Sequence, residues 1–169
     1  MKQIIFSTKF PATHPRKGQP TYFIEKIWAG LADQGQTMDD FDYLEMDFHE
    51  YYNASPKLHT IRAGKRWKEG DEFQGKIWSG RPYWSKTIIV TPILTVERVY
   101  YLSMIFLSGV PRVTVEHKEM IFGNFIDDQL AVNDGLSYMD FVGWFASKKT
   151  IKYGFTGQII CWNKKVKYG

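Results

Sequence analysis

The chain has 169 residues, which suits one domain and is enough to bury a core without metal or disulfide staples. Its single cysteine, Cys161, excludes an internal disulfide, and the four histidines share no metal-ligand spacing with it, so neither metal nor cofactor is expected. The longest apolar stretch, Tyr100 to Val110, is far below the roughly 20 residues of a membrane span, and the apolar run at the start is too short for a signal peptide; a soluble, cytoplasmic protein is expected.

Lys2 to Phe6 reads as a first strand, followed by the loop FPATHPRKGQP, which with the preceding Lys9 carries His14, Arg16 and Lys17. Phe23, Ile24, Ile27, Trp28 and Leu31 recur at helical spacing, and predict a helix from about 20 to 34. From Met38 to Tyr52 the apolar residues also repeat near 3.6, but acids crowd between them, so either a helix or a loop fits. The segment Asp39 to Glu50 holds six acids and no Lys or Arg. From Phe141 to Gly169 there are six lysines and no acid, so the net charge of +4 is unevenly spread. Two solvated faces would explain this, as would a basic end that meets phosphate.

Pro56 to Gly75 is the densest polar stretch, with Lys57, His59, Thr60 and Arg62, then Lys65, Arg66 and Trp67. On a regular strand 57 and 59 share one face while 58, 60 and 62 share the other. Lys57 and Thr60 can therefore meet only if the strand begins or bends between them, which predicts a loop entering a strand. Glu72 to Trp78, Ser85 to Val90, Ile93 to Leu102 and Thr114 to Phe122 have strand composition, with a bulge or an edge expected at Pro92. Ile126 to Val132 reads as a short helix and Asn133-Asp134-Gly135 as a turn. Ser137 and Asp140 form a capping box for a helix from about 138 to 147. Ile151 to Trp162 reads as a closing strand, and the tail KKVKYG as frayed. The expected fold is α+β, with one mainly antiparallel sheet closing into a small β-barrel flanked by helices. One domain spans 1–169, with an N-terminal helical extension at about 1–52.

No Walker-type loop, H-E-x-x-H or G-x-S-x-G motif is present. Two constellations remain. Lys57, with its pKa lowered by burial or by Arg62, could activate the Thr60 hydroxyl, and Asp134 could serve a leaving amine; a surface lysine and a strand threonine are the plain alternative. Lys65-Arg66-Trp67, with Arg81, Tyr83, Trp84 and Lys86, alternates charge with flat rings, as phosphate contact beside base stacking requires; rings that plug the core would leave the same pattern. The acids Asp127 and Asp128 could hold a cation or simply open a helix.

Lys57-Leu58-His59-Thr60-Ile61-Arg62, followed by Arg66-Trp67-Lys68-Glu69-Gly70-Asp71, resembles the K-x-x-T-I-R and W-K-x-G-D signature of the ASCH family. Asn133 to Ser137 and Gly143-Trp144-Phe145 are similar to that family's later turn and helix, and HPRKGQPTYFIEKIW to the start of a longer subgroup found in bacteria and phages. The resemblance implies a PUA-like barrel that binds RNA or a modified nucleoside or nucleotide in a cleft. One branch of the family removes the acetyl group of N4-acetylcytidine with a lysine, a threonine and a glutamate. The first two fall on Lys57 and Thr60; the nearest acid to the third is Asp134, one methylene shorter. The expected site is thus Lys57, Thr60 and Asp134 as catalytic candidates, with His59, Arg62, Lys65, Arg66, Trp67, Trp84 and Lys86 binding ligand. Three functions fit: RNA or nucleoside binding, N4-acylcytidine amide hydrolysis, and a protein-interaction or regulatory role.

Overall fold

The apolar positions from Phe23 onward do wind into a helix. In the structure, a computed structural model that describes residues 1–116, 118–120 and 128–168, α1 spans Phe23–Ala32 and fully buries Ile27, Trp28 and Leu31. The Trp28 indole N–H donates to the Val90 carbonyl at 2.9 Å, which ties the helix to the sheet beneath it. The acidic segment resolves into a single 3-10 turn, Asp39–Phe41, and a short α2, Phe48–Asn53, capped by the Asp47 carboxylate.

The strands are β1 (Lys2–Ile5), β2 (His59–Ala63), β3 (Glu72–Trp78), β4 (Thr87–Thr95), β5 (Arg98–Leu107), β6 (Val110–Val115), β7 (Lys118–Met120) and β8 (Phe155–Cys161). They form two sheets, in the orders β1-β3-β4 and β2-β8-β5-β6-β7. All pairings are antiparallel except β1 with β3. The α+β class is as expected, but the described strands do not close into one barrel. The reason lies in β8. Ile159 and Cys161 face one core and Ile160 and Trp162 the other, so this strand is covered on both faces and serves as the partition between two packed layers. One core lies under α3 (Asp128–Asn133) and α4 (Tyr138–Phe145), the other under α1 and the three-stranded sheet.

Several boundaries differ from expectation. β4 runs through Pro92 on a sheet edge, and its register against β3 shifts there, with Gln74 opposite Ile93 but Lys76 opposite Ile89. The closing strand starts later than predicted, because Ser147 caps a separate helix, α5 (Lys148–Tyr153), ahead of β8. Val110 to Val115 and Lys118 to Met120 form a hairpin where one strand was read, while residues 121–122 and 126–127, which fall in the predicted strand and helix, lie outside the described residues. As far as Tyr168 the tail is not frayed. Val166 and Tyr168 are 3% and 8% exposed, with the Tyr168 ring packed against His59 and Tyr100. Among the described residues no helix is long and apolar enough to cross a membrane.

Candidate functional site

β2 begins at His59, so Lys57 is on the approach to the strand, where its amide donates to the Lys26 carbonyl of α1 at 2.9 Å. The next amide, Leu58, donates to Asn133 at 2.8 Å and brings the 133–135 turn alongside. That turn needs its glycine. Gly135 has φ of +77°, and a Cβ there would stand 3.1 Å from Lys57 Cβ. With the turn so close, the Lys57 ammonium donates to the Asp134 carboxylate at 2.7 Å and also to the Asp134 carbonyl, and sits 4.4 Å from the centre of the Phe23 ring.

Both members of this pair are almost out of water, at 1% and 4% exposure. Desolvation lowers the Lys57 pKa to about 8, opposed by the Asp134 charge. Desolvation likewise raises that of Asp134. Behind the pair, His59 Nε2 lies 2.7 Å from the Tyr168 hydroxyl, which accepts from Asn133 Nδ2 at 2.9 Å. Burial, then the Lys57 charge, hold the His59 pKa well below its ordinary value. A neutral His59 therefore accepts the Tyr168 proton at Nε2. The chain Asn133, Tyr168, His59 braces the turn from the protein side.

On its outer side the pair opens on a cavity of about 1020 Å3, at the upper end of the roughly 300–1,000 Å3 typical of ligand sites. Thr60, Arg62, Lys57 and Asp134 all line it. Thr60 Oγ1 has no hydrogen bond within the described residues. Arg62 donates through NH2 to the Ile5 carbonyl at 2.6 Å, but its buried Nε–H has no acceptor among the described residues. The walls come from the parallel pairing of β1 with β3, which makes both strands exit on one side. The loop after β1 supplies Lys9, Phe10 and Lys17; the loop after β3 supplies Arg81 and Tyr83, beside Trp78.

The first loop is fastened to α4. Its buried His14 stacks on Phe10 at 4.3 Å and meets the Asp140 carbonyl at 3.0 Å, while Arg16 pairs with the Asp140 carboxylate at 2.8 Å. Gly143 lets them approach, since a Cβ there would lie 2.8 Å from His14 Nε2. Ser137 caps α4 through the Asp140 amide, as the sequence predicts, and the Asp140 side chain is used on Arg16.

Of the sequence-derived candidates, Lys57, Thr60, Arg62 and Asp134 share the cleft, as do Arg81 and Tyr83 of the second constellation; His59, Lys65, Arg66, Trp67, Trp84 and Lys86 do not line it. His59 is in the bracing layer. Trp67 is 4% exposed in the core beside Phe73, with its amide and carbonyl bonded to the Gln158 side chain. Lys65 and Arg66 are exposed and lie over the Tyr101 and Trp67 rings. Trp84, 80% exposed, and Lys86 belong to the β3–β4 loop but not to the cavity wall. Sequence reasoning did not assign Lys9, Lys17 or Tyr168 to the site. Among the described residues no group of three or more His, Cys, Asp or Glu could hold a metal ion. Comparison with family models, with curated proteins and with solved structures gives no match.

Proposed function

We propose that the cleft binds a flat, base-like ligand, either RNA or a modified nucleoside or nucleotide, in a domain of ASCH type whose two sheets represent an opened PUA-like barrel. The observation that carries this reading is the convergence of Lys57, Thr60, Arg62 and Asp134 on one cavity with aromatic walls. The Thr60 hydroxyl and the Arg62 Nε–H, neither with a hydrogen-bond partner among the described residues, offer hydrogen bonds to a polar ring edge. Phe23, Trp78 and Trp144 offer apolar surface for its faces. Saturable binding of RNA oligonucleotides or N4-acetylcytidine, weakened by Thr60→Val and Arg62→Gln, is the expected result; absence of binding to either overturns it.

A second reading, amide hydrolysis, draws on the Lys57 pKa of about 8. A side chain with that pKa is neutral in about a tenth of molecules at pH 7, which suffices for a general base. Neutral Lys57 would take the Thr60 proton as Oγ1 attacks the acyl carbon. The C–N4 bond would then break, with the Lys57 proton passing to the leaving amine, and water would release acetate from the Thr60 ester. Incubation with N4-acetylcytidine should yield cytidine and acetate at a rate that rises with pH towards a plateau above about 8. No turnover, or turnover unchanged in Thr60→Ala, ends this reading.

A further inference from the structure

The two loops that wall the cleft carry a feature that base recognition alone does not require. Lys9 and Lys17 on one, and Arg81 on the other, line the cavity mouth, and all three are exposed. None of them has an acidic partner among the described residues. Among the described residues the only acid lining the cavity, Asp134, is already paired with Lys57. Like charges gathered around one opening repel each other, and a dianionic or polyanionic occupant removes that repulsion.

Tyr83 makes the same point geometrically. It lines the cavity, is 88% exposed, and has its ring 5.4 Å from that of Trp78, and its backbone has φ of +66°, a genuine outlier for a bulky residue. The loop that holds it there is tightly fastened. Ser85 Oγ accepts from the Gly80 amide and donates to the Arg81 carbonyl, each at 3.0 Å, and the Ser79 amide donates to Lys86 at 2.9 Å. A strained backbone, fixed by its neighbours, thus presents a flat ring on the same loop as Arg81, whose guanidinium lies over the Trp84 ring at 5.4 Å and has no acidic partner among the described residues. Across the opening, Lys9 and Lys17 stand on a loop anchored through His14 and Arg16 to α4.

We propose that Lys9, Lys17 and Arg81 form a phosphate clamp at the mouth of the cleft, with Tyr83 stacking on the ring or sugar next to that phosphate. The occupant is therefore a phosphorylated nucleoside, free or within a single strand, rather than an unphosphorylated one. This rests on the function proposed above and adds the substrate class. Arg81 and the lysines contact phosphate oxygens by charge-assisted hydrogen bonds, while the floor of Thr60 and Arg62 meets the base.

Titration of the full chain, followed by tryptophan fluorescence, tests the clamp. The probes are the four common ribonucleosides and N4-acetylcytidine, their 5′-monophosphates, and short single-stranded oligoribonucleotides. At least one monophosphate should bind on the order of tenfold tighter than its nucleoside at about 50 mM salt, an advantage that shrinks as salt rises. The combined Lys9→Gln, Lys17→Gln and Arg81→Gln substitutions, all at exposed positions, should reduce that advantage to about twofold or less. Tyr83→Ala should weaken monophosphate binding without changing its salt dependence. An oligonucleotide that outbinds its monophosphate, with a steeper salt slope, identifies a strand as the source of the phosphate; equal binding identifies a free nucleotide. Nucleosides that bind as tightly as monophosphates overturn the clamp and leave the base-binding reading standing. If no nucleoside, nucleotide or oligonucleotide binds, both fall.

Discussion

The floor and the mouth of the cleft hold opposite kinds of charge. On the floor, Lys57 is buried, paired with Asp134 at 2.7 Å and braced by the chain from His59 through Tyr168 to Asn133. At the mouth, Lys9, Lys17 and Arg81 are exposed and lack acidic partners among the described residues. A buried charge must be satisfied by the protein itself, since taking it from water costs several kcal/mol, whereas an exposed one can wait for its ligand in solvent. Substitutions at the floor should therefore be read first in stability, and those at the mouth first in binding.

The largest test of that difference is Asp134→Ala. It strands the Lys57 ammonium in a site with 1% exposure and should cost about 3–5 kcal/mol of folding stability, measurable by chemical denaturation. A cost no greater than that of Arg81→Gln would erase the distinction between the two regions. Tyr168→Phe comes next. It removes the hydroxyl that joins His59 to Asn133 and should cost about 1–3 kcal/mol, because two buried polar groups lose their partner. An unchanged denaturation midpoint would mean that the tail does not brace the floor.

The smallest effect concerns pH. Lys57 has its pKa lowered from 10.5 to about 8 in the folded chain. Between those values the unfolded chain binds a proton that the folded one does not, so stability rises with pH through this window. Cys161 acts in the opposite sense above its ordinary value of 9.0, since burial pushes its thiol up to about 12. The clear interval is thus pH 8 to 9, where the folded state should gain about 1 kcal/mol. Lys57→Met should flatten that slope. A slope that persists in the variant would assign the titration to another group.

The floor was more legible in the sequence than the mouth. Lys57 and Thr60 could be singled out in the densest polar stretch, and Asp134 by its turn ahead of a capped helix, with the family resemblance joining the three; a strand starting between 57 and 60 is what lets the first two share a cleft. At the mouth, the alternation of Arg81 and Tyr83 with Trp84 and Lys86 was legible, but its meeting with the first loop was not. Lys9 and Arg81 line one opening only because β1 pairs in parallel with β3, Ile5 opposite Lys76, a contact between distant segments that short-range periodicity does not encode. Trp67 shows the converse. Its basic neighbours suggested a stacking ring, yet the turn directs it into the core, where Gln158 holds both its backbone groups. The helix α1 was readable because its buried face repeats every turn, while Tyr168, in a lysine-rich tail, gave no sign that its partner was His59.

Amide chemical-shift mapping of the 15N-labelled full chain during titration with N4-acetylcytidine 5′-monophosphate tests the central claim, that one ligand spans floor and mouth. Resonances of Thr60, Arg62 and Gly135 should move together with those of Lys9, Arg81 and Tyr83, along one saturation curve. Shifts confined to surfaces away from these residues, such as the outer face of β5, or the absence of any saturable shift, would contradict it.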